Sequence, residues 1–224
     1  MNQMKKHSLI AVFIACSTGL LGCSSESNNL PDPPTSVGER QCNPERQVCI
    51  RGRFVDAAVF RLNYECADVR STTLVDGSFS CPSGSEVTFL LSHPDVPQTV
   101  VFGAVKVQLR SGGGTTGAQS TMTVTPATLV TDAERSDGSP YPVSVVNIAR
   151  LLQTLDDGSI TTSDPAKVIT LRELDKKAFL GNLTRSLTPD DFSAGGFDVL
   201  VGASLALMDK VLVDAAVASA ALTK

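Results

Sequence analysis

Apolar residues follow three different rhythms along the chain. Near the N-terminus they form one run, from Leu9 through Ile10, Ala11, Val12, Phe13, Ile14 and Ala15 to Leu20 and Leu21. Between residues 48 and 130 they come in short, β-branched-rich runs: Val48–Phe54, Ala58–Tyr64, Ser71–Val75, Ser78–Cys81, Glu86–Leu91, Thr99–Val107 and Gln119–Thr125. Turn signals separate these runs, namely Asp76-Gly77, Pro82-Ser83-Gly84, Pro94-Asp95-Val96-Pro97 and Ser111-Gly112-Gly113-Gly114. Strands recurring at roughly ten-residue spacing predict a small β-sandwich or open barrel.

From residue 143 onward the period lengthens. Val145, Ile148, Leu152 and Leu155 fall on one face of a helix over 143–155, and Pro142 suits its start. Thr170-Leu171-Arg172-Glu173 matches a capping box for a helix ending at Gly181-Asn182. Thr188-Pro189-Asp190-Asp191 reads as an N-cap with Pro at the first helical position. Residues 197–222 read as one long Ala-rich helix, with Leu200, Ser204, Leu207, Val211, Ala215 and Ala218 on one face. Asp198, Asp209, Lys210 and Asp214 interrupt that stretch and exclude a membrane span in its middle. The expected fold class is α+β: a disulfide-stapled β-module over 42–130, then a three- to four-helix region over 131–224 packing on it.

The first apolar run belongs to a leader. Lys5 and Lys6 give it a basic start, and its length of about 13–14 residues is too short to span the bilayer. It ends in Leu20-Leu21-Gly22-Cys23, which resembles the lipobox of bacterial lipoproteins. The resemblance implies a signal peptide over 1–22, cleavage before Cys23, a diacylglycerol on the Cys23 sulfur and acylation of the new amine. Ser24 stands where an Asp would retain such proteins in the inner membrane, so the resemblance implies the outer membrane. Cys16 lies inside the run, has no polar tail behind it, and leaves with the signal. Residues 23–41 then form a tether. Ser24–Gln41 holds one Leu, one Val and no aromatic residue, with Pro31, Pro33 and Pro34 stiffening its middle.

Composition and charge narrow the partners. Loss of Lys5 and Lys6 leaves 17 basic and 23 acidic residues, a net charge of −6. Such a body does not adhere to nucleic acid or anionic lipid by charge, so the membrane contact would be the acyl chains. Of six Cys, four remain beyond the leader and anchor: Cys42, Cys49, Cys66 and Cys81. An even set in an oxidising compartment implies two disulfides, for which three connectivities exist. Spacing favours the local pairs, Cys42 with Cys49 around a turn-rich loop and Cys66 with Cys81 across two strands joined at Asp76-Gly77.

The segment around that turn carries a second resemblance. Val59 and Arg61, followed by Ser71-Thr72-Thr73 and Asp76-Gly77-Ser78-Phe79, resemble the transthyretin-like, carboxypeptidase-regulatory-type β-module of bacterial surface proteins. Tyr64-Glu65-Cys66, Ser85–Phe89, Phe102-Gly103-Ala104, Val124-Thr125-Pro126 and Val146–Asp156 are similar, in that order, to exported lipoproteins and adhesin-like proteins of Gram-negative bacteria. The likeness covers about residues 50–165 and implies a displayed β-module without assigned catalytic residues.

Residues able to carry chemistry are few. Beyond the leader the chain has one histidine, His93, within Leu91-Ser92-His93-Pro94-Asp95, a turn-like loop; no GxSxG elbow accompanies it. Asp156/Asp157 and Asp190/Asp191 are acidic pairs, but without Trp and with two Tyr the chain offers little platform for a sugar. Asp156-Asp157-Gly158-Ser159 is half a calcium loop lacking its later Glu, so Asp156 and Asp157 are weak Ca²⁺ candidates. The Gly-rich stretch 111–117 lacks the Lys-Ser/Thr ending of a phosphate loop and reads as a flexible connection. No cofactor is expected. The leading functional expectation is a non-enzymatic, lipid-anchored outer-membrane protein with a structural, adhesive or partner-binding role toward an envelope protein or polymer. The alternatives are an envelope-polymer hydrolase using His93 or the aspartates, and a periplasmic small-ligand carrier.

Overall fold

A computed structural model of the chain describes residues 42–55, 57–108, 122–130, 141–158 and 168–222. The expected signal peptide, the Cys23 anchor, the 23–41 tether and the Gly-rich connection lie outside the described residues. The strands are β1 (Cys49–Phe54), β2 (Val59–Phe60), β3 (Asn63–Cys66), β4 (Val69–Thr72), β5 (Ser78–Pro82), β6 (Glu86–His93), β7 (Val96–Lys106), β8 (Met122–Val124) and β9 (Ile169–Thr170). The helices are α1 (Val143–Leu155), α2 (Glu173–Gly181), α3 (Pro189–Ser193), α4 (Phe197–Ala206) and α5 (Ala215–Leu222). The fold is mixed α+β, with three sheets and no closed barrel among the described residues.

One sheet has the order β5-β1-β8 and a second has β4-β3-β6-β7. β2 and β9 pair in parallel, which brings the chain entering α2 onto the β-module. Alternation sets which side chains face inward. In β1 Ile50, Gly52 and Phe54 are buried while Arg51 and Arg53 are exposed; in β5 Phe79 and Cys81 are buried. Phe89 then meets both Phe54 and Phe79 with ring centroids 5.1 Å away, and Tyr64 lies 5.7 Å from Phe79. Edge-to-face aromatic contacts of this kind add to area burial. Gly52 faces Phe79 across the β1–β5 ladder, and a Cβ there would sit 2.2 Å from the ring. The glycine is the space the ring occupies.

The Asp76-Gly77 turn takes the chain from one sheet to the other. Gly77 N–H donates to Leu74 O at 2.8 Å, and Leu74 N–H donates to Ser78 O at 2.9 Å. Gly77 has φ +76°, and a Cβ on it would lie 2.4 Å from the Phe54 carbonyl oxygen. Thr73, fully buried, accepts from Leu62 N–H at 3.0 Å and donates to the Val59 carbonyl. The expected strand over 58–64 is accordingly broken: Arg61 adopts φ 65°, so β2 ends and β3 begins around Thr73. The expected loop around His93 is tighter than its sequence suggests, because β6 runs to His93 and β7 starts at Val96.

Helices cover the second sheet. Phe102 of β7, Phe192 of α3 and Phe197 of α4 stack with centroids 5.6 and 5.1 Å apart, and one hydrophobic core takes residues from strands and helices alike. α1 buries Val145, Ile148, Leu152 and Leu155, the face its periodicity predicts. The capping box expected at Thr170 does not form. Thr170 is committed to the β9 pairing, the residue before α2 is Arg172, and Glu173 bonds Lys176 instead. At Thr188 the capping box is present, with Asp191 Oδ2 accepting from Thr188 N–H at 2.8 Å.

The long helix expected over 197–222 is two short ones. Asp209 N–H donates to Ala206 O at 3.1 Å and Lys210 N–H to Leu205 O at 3.0 Å, with Asp209 at φ 56°. This is a Schellman-type ending in which Asp takes the left-handed position. The cause lies in Lys210, whose Nζ reaches Thr154 O at 3.0 Å and Asp156 O at 3.2 Å at the C-terminal end of α1. A cation there meets orphan carbonyls and the negative end of the helix dipole. Leu207 and Val211, expected on the buried face, are therefore exposed.

Two predictions test this packing. Gly77→Ala is expected to lower unfolding free energy by about 2–3 kcal/mol in urea titration, since it strains a left-handed residue against a carbonyl. Asp191→Ala removes a helix cap and is expected to lose about 1 kcal/mol at neutral pH. Hydrogen bonding to Arg185 holds the Asp191 carboxyl well below its ordinary 3.8 in the folded state. Its contribution is present above that pH and is lost as pH falls through the folded value, so the variant's acid unfolding limb should be shallower.

Candidate functional site

The site begins with the two disulfides. Cys42 and Cys49 are joined with Cα atoms 6.0 Å apart, closing a turn in which Arg46 and Gln47 N–H donate to Asn43 O. Cys66 and Cys81 are joined with Cα atoms 5.9 Å apart. The second bond differs from expectation in what it links. β4 and β5 belong to different sheets, so Cys66–Cys81 ties β3 of one sheet to β5 of the other. A loop of 15 residues closed in this way contributes about 3 kcal/mol.

Where the two sheets diverge, a groove of about 350 Å³ opens between β4 and β5. The Cys42–Cys49 disulfide, Arg51, Tyr64, Ser71, Thr72 and Ser80 are among its lining residues, and no carboxylate lines it. Arg51 sits opposite Ser80 in the β1–β5 ladder and faces outward. Its guanidinium has no hydrogen-bond or ion-pair partner among the described residues, unlike Arg53, which lies 3.3 Å from Asp76. Asp76 is itself engaged: hydrogen bonds from Ser78, with a smaller contribution from Arg53, hold its carboxyl below the ordinary value.

The two strands flanking the groove differ in their outer edges. Antiparallel pairing turns the backbone polar groups of alternate residues toward and away from the partner. Phe54 N–H donates to Gly77 O and Ser83 N–H to Val48 O, so Ser78, Ser80 and Pro82 turn their backbones away from β1. Each is accounted for. Ser78 O accepts from Leu74 N–H, Ser78 N–H donates to Asp76 Oδ1 at 3.0 Å, and Pro82 has no N–H. Ser80 N–H donates to the Tyr64 hydroxyl oxygen at 3.3 Å, and that hydroxyl donates to Ser80 O at 3.5 Å. The β5 edge is closed.

β4 is left open. Thr73 N–H donates to Leu62 O, so Thr72 and Arg70 direct their N–H and C=O groups away from β3. Neither backbone has a partner on that side among the described residues, and β4 is the terminal strand of its sheet. Thr72 lines the groove, so an edge with unpaired donors and acceptors borders a lone guanidinium and several hydroxyls.

Of the residues singled out from sequence, Cys42 and Cys49 line the groove, whereas His93 and the two acidic pairs lie elsewhere. His93 ends β6, its side chain mostly buried, and Nδ1 accepts from Asp95 N–H at 3.2 Å. Asp95 pairs with Lys177, which holds its carboxyl below the ordinary value. Asp156 Oδ1 accepts from Thr170 N–H at 3.0 Å and Gly158 N–H at 3.1 Å, fixing the exit of α1 to β9. The Asp157 side chain is largely covered, with Oδ2 3.5 Å from Arg172 Nε. Among the described residues no three His, Cys, Asp or Glu side chains converge as a metal site. Asp190 caps nothing but its own turn, accepting from Ser193 Oγ through its carbonyl, whereas Asp191 binds Arg185. The structure does not bring His93 together with either acidic pair.

Sequence reasoning passed over two features. Arg51 follows the polar rhythm of β1 and looked like an ordinary outward charge; its distinction, the missing carboxylate, depends on strand order. Lys176 is fully buried, with Nζ 3.0 Å from Arg61 O and Asn63 Oδ1 and 2.7 Å from Glu173. It anchors α2 to the β2–β3 bend, and no local pattern marks it. No known protein family, curated protein or solved structure matches the chain.

Tyr64→Phe tests the closed edge. Loss of the hydroxyl leaves the Ser80 amide and carbonyl to solvent, with an expected cost of about 1 kcal/mol. Hydrogen exchange at Ser80 should quicken while that at Cys81 stays slow.

Proposed function

We propose that the chain is a lipid-anchored protein of the bacterial outer membrane, attached through acylated Cys23, that holds an envelope partner in the groove between β4 and β5. It acts by binding and display, without turnover. The observation that carries the binding role is the groove itself, where Arg51 stands without a carboxylate beside hydroxyls and an open strand edge. The lipobox-like Leu20-Leu21-Gly22-Cys23 supports the anchor. Two disulfides support an oxidising compartment, as an exported protein requires. The likeness of Thr73, Asp76, Gly77 and Phe79 to the transthyretin-like surface module supports display. In this fold those four residues build the crossing that opens the groove.

The reading divides labour along the chain. Several acyl chains hold the N-terminus far more firmly than the marginal grip of a single one. Eighteen residues of tether with a proline-stiffened middle reach on the order of 25 Å. The disulfide at Cys42–Cys49 lies at the start of the described body and at one side of the groove.

The test has two arms. Wild-type protein expressed in a Gram-negative host is expected to incorporate [³H]palmitate and fractionate with outer membrane, and Cys23→Ala to do neither. A photoreactive amino acid in place of Leu74, exposed and lining the groove, is expected to cross-link an envelope component, while the same group at exposed Val143 on α1 is not. Unchanged labelling in Cys23→Ala removes the anchor. Equal adducts from both positions remove the groove.

A further inference from the structure

We infer that the partner presents an extended, acidic peptide segment, which adds as a short strand to β4 and places a carboxylate on Arg51; this rests on the groove being the binding site proposed above. Three observations converge on that chemistry. The β4 edge offers the N–H and C=O groups of Arg70 and Thr72, two donors and two acceptors without a partner among the described residues. Strand addition satisfies such a row, whereas a compact ligand does not. The opposite wall cannot compete, because Tyr64, Leu74, Asp76 and Pro82 have closed β5. Pairing therefore has one available side.

Charge selects the side chain. Arg51 is exposed, without a partner among the described residues and in a groove with no acidic lining residue, although the mature chain is acidic overall. A guanidinium so placed prefers a planar carboxylate, which it grips through two parallel hydrogen bonds. Arg70, on the same edge, adds a second cation, partly engaged with Glu65 at 3.4 Å. A basic segment would meet repulsion from both. A glycan fits less well. Sugar recognition relies on an exposed aromatic face, and the aromatic rings at this groove, Tyr64 and Phe79, are each 4% exposed. The hydroxyls of Ser71, Thr72 and Ser80 instead suit the polar groups of a peptide lying between the walls.

The length of the addition follows from β4. With four residues, β4 pairs with a segment of similar length, giving up to four backbone hydrogen bonds. Affinity from so few bonds is modest, so an expected Kd lies around tens of micromolar.

The test uses full-length protein in detergent and a fluorescein-labelled peptide Thr-Val-Glu-Val-Thr-Val, with Lys or Gln in place of Glu as comparison peptides. Anisotropy is expected to show binding of the Glu peptide and at least about tenfold weaker binding of the Lys peptide. Arg51→Glu should reverse that order. Thr72→Pro removes an edge N–H without touching the β3 ladder, so it is expected to weaken the Glu peptide about tenfold with an unchanged melting temperature. Arg51→Gln provides a milder check on charge, and should bring the Glu and Lys peptides to similar affinity. Hydrogen exchange at the Thr72 amide should slow when the Glu peptide is bound. No binding of the Glu peptide at about 1 mM, equal binding of Glu and Lys peptides to the wild type, or indifference to Thr72→Pro in a folded protein would overturn the inference. If the Leu74 cross-link to an envelope component persists under any of those results, the groove remains a binding site and only its proposed occupant is wrong.

Discussion

Gly77 lies against the carbonyl of Phe54 with no room for a side chain, and the arrangement of both sheets follows from that contact. It lets the chain leave β4, turn over Val75 and Asp76, and enter β5 in the other sheet within five residues. Thr73 holds the start of the crossing by binding both ends of the β2–β3 bend through one buried hydroxyl. Phe79 holds its end by filling the space over Gly52. Because the crossing is so short, β4 and β5 remain near neighbours without becoming hydrogen-bonded partners. The groove is the gap that results, and Cys66–Cys81 fixes its width by linking the sheets behind it.

Cations tie the helical layer together alongside its apolar contacts. Lys176 reaches from α2 to the Arg61 carbonyl and Asn63, Lys210 reaches from the end of α4 to the last carbonyls of α1, and Arg150 joins α1 to Asp198 and the Val213 carbonyl. Each uses a long side chain to satisfy backbone or carboxylate groups that packing would otherwise leave unpaired. Arg150 and Asp198 form a two-bond pair that holds the Asp198 carboxyl below its ordinary value. These ties place Lys176, Lys210 and Arg150 in structural roles at the helical layer, whereas Arg51 is the cationic side chain among the residues lining the groove.

Much of the fold was legible because its causes are local. Period-two runs around Ile50–Phe54 and Ser78–Cys81, the 3.6-residue rhythm of α1, and the Thr188-Pro189 start of α3 all became elements close to where they were expected. Cysteine spacing favoured the observed pairs, yet it suggested a bond across one hairpin, since nothing local says that β4 and β5 part company. The long C-terminal helix failed for a distant reason: Lys210 is drawn to the end of α1, 54 residues away in sequence. Thr170 resembled a cap until β9 claimed its backbone. The groove was illegible for the same reason. An edge strand is defined by what lies beside it, and neither the open backbone of Thr72 nor the missing partner of Arg51 is written in their own neighbourhoods.

One wall of the groove is sealed and, among the described residues, the other is open. Residue-resolved amide exchange on the native full-length protein addresses this difference without any ligand. Ser78 and Ser80 should be protected, through Asp76 and Tyr64, although both face away from β1. Thr72 should exchange fast while its neighbour Thr73 exchanges slowly. Protection of Thr72 equal to that of Thr73, or rapid exchange at Ser80, would contradict the account.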